Sequence, residues 1–263
     1  MNIIIPAPNS SIAFYLFNFP LRFYGLLMAI SFFVGIGVVY FLLFKKYNKF
    51  NCEIFLDYSP YLIVLSIIGA RLFYILGSLD FYLKYPKEIF LINHGGLSLY
   101  GAIFFGIIGL YFLSKIKKFD FWEHIDALAV AFPICQSIGR FGNYFNQEAY
   151  GLPTNSFLKL YVSKSHRIDE FINIDYYHPA FLYESVLDLI LFVVLFTIFF
   201  KFKNIKKGTI ASIYLILYGI IRLFVENIRI DSVLNIGAIP IASIISIITI
   251  ILSLIWLYLI YKK

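Results

Sequence analysis

The sequence predicts an all-α membrane protein with seven transmembrane helices, its N-terminus outside the cell and its C-terminus in the cytoplasm. Hydrophobic residues make up 61% of the 263 residues and charged residues only 14%, whereas soluble domains carry about a quarter charged residues. Apolar runs of about 20 residues, the length of a membrane-spanning helix, recur along the chain. Lysines cluster at alternate ends of these runs, which is the pattern that cytoplasmic loops show.

The seven predicted helices alternate in direction. The first ends at a lysine cluster, and the second returns to an outer connection at 78–96. The third descends to the lysines at 115–118, and the fourth, which is short and contains Pro133, returns to the outer face. The fifth descends to the lysines at 201–207, the sixth ascends, and the seventh ends at the terminal lysines. The predicted spans are, in order, residues 21–44, 55–76, 97–113, 125–138, 180–200, 209–228 and 239–261.

The most polar part of the chain is residues 152–177, between the fourth and fifth predicted helices. We expect a small extracytoplasmic subdomain there, inserted into a single seven-helix domain of residues 1–263. The fold of this insertion does not follow from its residue pattern. The chain begins without a basic segment ahead of an apolar one, so a cleaved signal peptide is not predicted.

Several kinds of site are excluded. Cys52 and Cys135 lie far apart and belong to no Cys/His cluster, so neither a disulfide framework nor a metal site is predicted. The sequence has no glycine-rich phosphate loop and no dinucleotide fingerprint, and no cofactor is expected. The net charge of +7 comes from lysine clusters that report topology, so a nucleic-acid partner is not predicted.

The arginines are distributed differently from the lysines. The clustered cytoplasmic charges are all lysines, whereas five arginines lie within predicted helices or at their outer ends. A guanidinium binds phosphate through two parallel hydrogen bonds, so this distribution suggests an anionic ligand at outer-leaflet depth. For Arg22 and Arg71, snorkelling to lipid headgroups is a competing interpretation. For Arg140 and Arg222, polar neighbours at helical spacing favour a binding site. The five are Arg22, Arg71, Arg140, Arg222 and Arg229.

The densest group of polar residues is the segment 139–151, which follows the fourth predicted helix. Such groups are costly in a membrane and are usually functional. The segment contains Arg140, Asn143, Asn146, Gln147 and Glu148, together with Gly139, Gly142 and Gly151.

The sixth predicted helix carries three charged residues on one face. Glu226 lies four residues after Arg222, and Arg229 follows three further on, so all three share a face that must point into the bundle. The simple interpretation is an internal ion pair, and the functional one is that Glu226 orients Arg222 toward a ligand phosphate. Glu184, about one turn inside the fifth helix, is expected to be a hydrogen-bond partner or a site residue.

Glycines and hydroxyl groups mark two other outer helix ends. Gly95 and Gly96 precede the third helix and allow close backbone approach, and Ser98 and Tyr100 then present hydroxyls near the outer face. Tyr24 lies at the mouth of the first helix. A tyrosine at this depth is by default an interfacial residue, and His94 is expected to be an ordinary loop histidine.

The segment 139–151 resembles the signature of the prolipoprotein diacylglyceryl transferases of the bacterial cytoplasmic membrane. In the signature Gly-Arg-x-Gly/Ala-Asn-Phe-x-Asn-x-Glu-x-x-Gly, Tyr144 replaces the phenylalanine and the other fixed positions match. The resemblance extends to the elements at 22–26, 94–96 and 178–184 and to the pair on the sixth helix, and it leaves out 152–177. Where the family usually has a histidine, regarded as a candidate general base, this chain has Tyr100. A tyrosine is a far poorer base near neutral pH.

The resemblance implies transfer of the diacylglyceryl group of phosphatidylglycerol to the lipobox cysteine of a preprolipoprotein signal peptide. A thioether forms and glycerol 1-phosphate leaves, with no cofactor and no metal, at the outer leaflet of the bacterial inner membrane. The implied catalytic residues are Arg140, Arg222, Glu148, Glu226, Tyr100 and Tyr24. The implied substrate-binding residues are Arg140, Asn143, Asn146, Gly151, Arg222, Arg229, Gly95, Gly96 and Ser98.

Two other functional classes compete with this interpretation. A phospholipid flippase or small transporter would also place polar residues within the membrane, but no inverted repeat is evident and the polar groups gather at one leaflet. A membrane scaffold held by ion pairs fits the polar segment 139–151 poorly.

Overall fold

In a computed structural model, the chain is described at residues 2–47, 49–91, 95–202, 204–230, 235–236 and 239–262. Most of these residues are helical, which confirms the predicted helical class. The helices are α1 (Phe23–Lys46), α2 (Lys49–Leu76), α3 (Leu79–Lys84), α4 (Leu99–Lys117), α5 (Phe121–Asn146), α6 (Ala180–Lys201), α7 (Thr209–Glu226) and α8 (Ile241–Lys262). The strands are β1 (Ile3–Ile5), β2 (Ile12–Leu16), β3 (Phe19–Arg22), β4 (Leu158–Tyr161), β5 (Tyr176–Tyr177), β6 (Asn235–Ile236) and β7 (Ile239–Pro240).

Six of the described helices are long and apolar enough to cross a membrane, namely α1, α2, α4, α6, α7 and α8. The chain is therefore a multi-pass membrane protein. Helix α5 has 26 residues but carries Glu123, Asp126 and Arg140, and it is not among the six. Seven spans and the outward N-terminus stay predictions.

Helix α5 differs most from its predicted span of 125–138. It begins at Phe121 and ends at Asn146, so residues 139–146 are helical and do not follow the helix as expected. The helix ends only where the backbone turns left-handed, at Gln147 (φ 51°) and Ala149 (φ 55°). Helix α2 likewise begins at Lys49, six residues before its predicted start, because its first turns bury Asn51 and Cys52.

The predicted outer connection at 78–96 contains short helical segments. Helix α3 is followed by a 3-10 helix at Pro86–Phe90. The position of His94 lies outside the described residues. The sequence predicted that residues 78–96 connect two helices, but it did not predict the helical segments within this connection.

The chain divides into two compact units. The first comprises residues 1–39 and 125–263, and the second residues 40–124. The predicted single seven-helix domain and the insertion at 152–177 stay predictions.

The first unit contains a three-stranded sheet in the order β1-β4-β5. Strand β1 pairs in parallel with β4, and β5 pairs with β4 in antiparallel. Two strand residues, Leu160 and Tyr177, form a small core with Tyr150, Val162 and Phe181. The polar stretch 152–177 thus supplies two strands, and the third comes from the start of the chain.

Small residues allow the helices of the first unit to pack closely. A Cβ atom at Gly35 on α1 would lie 2.7 Å from Cys135 Sγ on α5, and Cys135 Sγ donates a hydrogen bond to Ser31 O at 3.2 Å.

At the start of α7, Asp126 accepts hydrogen bonds from the backbone N–H groups of Gly208 (2.8 Å) and Ala211 (2.9 Å). The carboxylate thus caps a helix whose N-terminal donors have no partner within the helix.

In the second unit, α2 and α4 pack through glycines. A side chain at Gly69 would collide with Phe105 and with the Gly101 carbonyl oxygen. Such small-residue contacts are the usual way in which helices approach in lipid. The backbone immediately before α4 is also tied to α2, because Ser98 N donates a hydrogen bond to Ala70 O at 3.0 Å.

Candidate functional site

Two arginines share one buried glutamate inside the first unit. Arg140 on α5 places Nη2 2.6 Å from Oε1 of Glu184 on α6. Arg222 on α7 places Nη1 3.7 Å from the other oxygen, Oε2. The Glu184 side chain is 3% exposed, and those of Arg140 and Arg222 are 22% and 16% exposed. The carboxylate therefore holds two guanidinium groups side by side.

Each arginine has a further partner on α7. Arg140 Nη2 donates a hydrogen bond to Tyr218 Oη at 3.5 Å, and Arg222 Nη2 lies 2.5 Å from Glu226 Oε2. The ion pair that the spacing of Arg222 and Glu226 predicted is present. We call Arg140, Arg222, Glu184 and Glu226 the arginine cluster.

The arginine cluster retains capacity to bind an anion. Among the described residues, Arg222 Nη1 is buried and forms no hydrogen bond, although it lies 3.7 Å from Glu184 Oε2. A guanidinium N–H without a hydrogen bond can donate one to a phosphate or carboxylate oxygen. Because the two acids hold the guanidiniums in place, little ordering would be needed on binding.

The polar residues at the end of α5 form a second group. Glu148 Oε1 accepts hydrogen bonds from Asn143 Nδ2 at 3.1 Å and from Asn146 Nδ2 at 3.2 Å. The resemblance implies a catalytic role for Glu148, which stays a prediction. In the structure it holds two asparagines, and none of the ion pairs between described residues joins it to an arginine. Both amide groups are thereby held in fixed orientations.

Gly151 is explained by packing. A Cβ atom there would lie 2.6 Å from His178 Cβ and 2.9 Å from Ile228 Cγ2. Its N–H donates to His178 O at 2.8 Å, and it forms a β-bridge with Arg229. Gly151 therefore ties the end of the polar segment to the end of α7, and a direct role in substrate binding stays a prediction.

Gly142 fits closely against Tyr24. A Cβ atom at Gly142 would lie 2.5 Å from Tyr24 Cδ2. One residue earlier in α1, the Phe23 ring stacks on Phe145 with centroids 4.0 Å apart. The N-terminal end of α1 is thus fixed on the same stretch of α5 that carries Arg140.

Gly95, Gly96, Ser98 and Tyr100 lie in the second unit, where Arg71 holds the backbone of the two glycines. Its guanidinium donates to the backbone oxygens of Ile89 (3.1 Å), Gly95 (2.6 Å), Gly96 (2.9 Å) and Glu88. Gly95 and Gly96 have φ values of 87° and 78°, which favour glycine. Arg71 is therefore structural, and neither snorkelling nor anion binding describes it.

The segment that Arg71 holds leads directly into α4. Ser98 immediately precedes α4, and Tyr100 lies in its first turn with 47% of its surface exposed. A cavity of about 280 Å³ opens beside this segment and is lined by Arg71, Tyr74, Ser78, Phe81, Tyr82, Glu88, Gly95 and Gly96.

His178 lies just before α6, outside the membrane-spanning helices. Its Nδ1 lies 3.2 Å from Tyr183 Oη, and its backbone oxygen binds Gly151. Burial lowers the pKa of the His178 imidazole below its ordinary value, because the cationic form loses solvation. The neutral form is therefore favoured in the folded protein.

Sequence reasoning missed Tyr218 and Asp188, both next to the arginine cluster. Tyr218 precedes Arg222 by four residues, and Asp188 follows Glu184 by four, so helical spacing was the available signal. Asp188 is fully buried. A second missed contact joins Tyr214 Oη to Gln136 Oε1 at 3.1 Å.

Comparison with known proteins gives consistent results. The family model described as prolipoprotein diacylglyceryl transferase matches residues 11–259. A phosphatidylglycerol–prolipoprotein diacylglyceryl transferase of Nostoc sp. is 37% identical over 245 residues, covering 90% of this chain and 86% of the relative. Proteins of the same name from Synechocystis sp. and Clostridium botulinum are 37% and 36% identical. Each match covers 96% of this chain, together with 90% of the Synechocystis protein and 97% of the Clostridium botulinum protein.

Proposed function

This chain belongs to the prolipoprotein diacylglyceryl transferase family, and we propose that it transfers the diacylglyceryl group of phosphatidylglycerol to a prolipoprotein. The observation that carries the proposal is the arginine cluster. Two fixed guanidiniums inside a bundle of apolar helices suit a ligand that has an anionic head and belongs in the membrane. A phospholipid with a phosphate headgroup is such a ligand.

The acceptor is the thiol of the lipobox cysteine in a signal peptide. The thiol proton is released to solvent, and the thiolate sulfur attacks a glycerol carbon of the lipid. The carbon–oxygen bond to phosphate breaks, its electron pair stays on the phosphate oxygen, and glycerol 1-phosphate leaves. A thioether remains on the peptide. The reacting cysteine belongs to the substrate, so the buried Cys52 and the half-buried Cys135 have no part in the chemistry.

The arginine cluster would act on the leaving group. Arg140 binds the headgroup phosphate, and Arg222 acts as a second clamp through Nη1, which forms no hydrogen bond among the described residues. Negative charge grows on the phosphate as the bond breaks, so fixed cations stabilise the transition state more than the ground state. Glu184 and Glu226 position the guanidiniums.

The other predicted residues have supporting roles in the proposal. The amides of Asn143 and Asn146, held by Glu148, bind glycerol hydroxyls or the phosphate. For the remaining residues, the proposed role rests on the resemblance to the family. They would donate hydroxyl groups or line the substrate site, and they are Tyr24, Tyr100, Gly95, Gly96, Ser98, Gly151 and Arg229.

We also propose the orientation of the chain in the bacterial cytoplasmic membrane. With α5 as a seventh span, the lysine clusters fall on one side and residues 139–151 on the other. The rule that cytoplasmic loops are rich in cationic residues then places the arginine cluster toward the outer leaflet. Signal peptides that have crossed the membrane become accessible there.

A vesicle assay tests the proposal. The protein is reconstituted with phosphatidylglycerol labelled in the glycerol backbone of its diacylglyceryl group, and a lipobox peptide is added. We expect a labelled peptide whose thioether bond survives alkaline treatment, and no such product from a peptide with serine in place of the cysteine. Arg140→Lys should reduce product strongly, because an ammonium group does not reproduce the planar fork.

The outcomes separate the alternatives. Full product from both Arg140→Lys and Arg140→Ala would contradict the role of Arg140. Exchange of labelled lipid between leaflets without any thioether product would indicate a flippase and would refute the transferase.

A further inference from the structure

A carboxyl group on α6 takes no part in the ion pairs of the arginine cluster. Asp188 is fully buried. In the part of the chain that the structure describes, neither of its carboxyl oxygens has a hydrogen-bond partner. A buried carboxylate is costly unless it is paired, and polar groups inside a membrane bundle mark functional sites. Asp188 therefore calls for an explanation beyond packing.

Asp188 faces the arginine cluster from one helical turn away. It lies four residues after Glu184, on the same face of α6. Neither arginine pairs with it among the described residues, because both guanidiniums are held by Glu184 and Glu226. The groups that interact with it electrostatically are Glu184 on its own helix, Arg140 on α5, and Arg222, Tyr214 and Tyr218 on α7.

The charge of the cluster depends on this carboxyl group. The two arginines balance Glu184 and Glu226, so the four side chains together are neutral. An ionised Asp188 would leave a net negative charge next to the proposed phosphate position. A protonated Asp188 leaves the cluster neutral, and it also avoids an unpaired buried anion.

We propose that Asp188 is a positioning residue that works with its carboxyl group protonated, so that the arginine cluster can hold an anionic lipid headgroup. The inference rests on the proposed function and deepens it. Binding of the headgroup and retention of the proton favour each other, because coupling between two ligands is reciprocal. High pH, which removes the proton, should therefore weaken binding of the lipid.

The test compares the KM for phosphatidylglycerol of the wild type and of Asp188→Asn in the vesicle assay from about pH 6 to pH 9. Asparagine keeps the shape of the protonated acid but does not ionise. For the wild type, KM should rise by about tenfold per pH unit above the transition, the slope of a single ionisation. For Asp188→Asn, KM should stay low and nearly constant across the range.

A matched control is Asp57→Asn, which removes an exposed aspartate of α2 and should keep the wild-type pH dependence. Ionisation of the substrate thiol affects kcat in all three proteins and is measured separately from KM. If Asp188→Asn is not recovered from membranes, Asp188→Ser supplies the same comparison.

The inference is overturned if Asp188→Asn shows the wild-type rise in KM. It is also overturned if Asp188→Asn is folded but inactive, since a neutral side chain of the same shape then fails to support the site. Absence of thioether product from the wild type would refute the proposed function itself, so the two failures are distinguishable.

Discussion

Replacing Glu184 by glutamine tests whether one carboxylate organises the arginine cluster. Glutamine has the same size and keeps an acceptor oxygen, but it removes the charge that lies 2.6 Å from Arg140 and 3.7 Å from Arg222. Arg222 keeps Glu226 at 2.5 Å. Most of the loss therefore falls on Arg140, which retains only the 3.5 Å hydrogen bond to Tyr218 among the partners described above.

The expected magnitude follows from burial. Removing one partner of a buried ion pair costs about 3–5 kcal/mol, because the other charge stays buried without compensation. Glutamine retains a dipole and the Arg140 side chain is 22% exposed, so we expect a loss near the lower end, about 3 kcal/mol in unfolding free energy. Transfer activity should fall by about a hundredfold, as expected when a catalytic group moves by about 1 Å.

Glu53→Gln is the matched control. Glu53 pairs with Lys49 at 3.5 Å, but the two side chains are 60% and 78% exposed. Exposed pairs contribute at most about 1 kcal/mol, so this variant should unfold and react like the wild type. Stability is measured by unfolding of the detergent-solubilised protein, and activity by thioether formation. Equal stability of the Glu184 and Glu53 variants would refute the proposed organising role of Glu184.

Three further predictions concern packing, loop structure and pH. Gly142→Ala should destabilise the protein by about 1–3 kcal/mol, because its Cβ atom would lie 2.5 Å from Tyr24; Gly25→Ala, which would meet nothing within 4 Å, should not. Arg71→Lys should lower the unfolding free energy by at least about 2 kcal/mol, because an ammonium group does not reach several separate carbonyls at once. The wild type should lose stability as pH falls below about 6.5, the ordinary histidine pKa, because burial lowers the pKa of His178 and the unfolded chain then binds the proton more readily.

Thermal unfolding measures all three effects. For the pH effect, His178→Gln is the comparison, and it should lose less stability between pH 7.5 and pH 5.5 than the wild type does. The packing argument fails if the Gly142 and Gly25 variants are equally stable. An Arg71→Lys protein as stable as the wild type would show that the carbonyl contacts contribute little.

The sequence predicted the membrane helices well where hydrophobicity alone determines them. The predicted span 180–200 agrees with α6 to within one residue at each end. The predicted helix ends were least accurate for α2 and α5. The ends of these two helices are polar and lack the hydrophobicity of a membrane-spanning segment. The end of α5 is helical through Asn146 because its polar groups are satisfied within the protein, for example by Glu148. Hydropathy does not register such internal partners.

Pairs within one helix are predictable, and contacts between helices are not. The spacing of Arg222 and Glu226 predicted their ion pair. The same rule applied to Glu184 and Arg222 would have drawn attention to Asp188 and Tyr218. Sequence spacing gives no information on which helix faces which, so the position of Glu184 between two arginines of different helices required the structure.

Arg71 and Arg222 show most clearly where inference from sequence stops. Both are arginines within apolar helices, and both were candidates for an anionic ligand. The guanidinium of Arg71 donates to backbone carbonyls before α4, whereas Arg222 Nη1 forms no hydrogen bond among the described residues. Carbonyl oxygens are present at every residue, so a loop that binds a guanidinium has no sequence signature. An acidic partner four residues away was the visible difference between them, and in our proposal it marks the arginine that is held for a ligand.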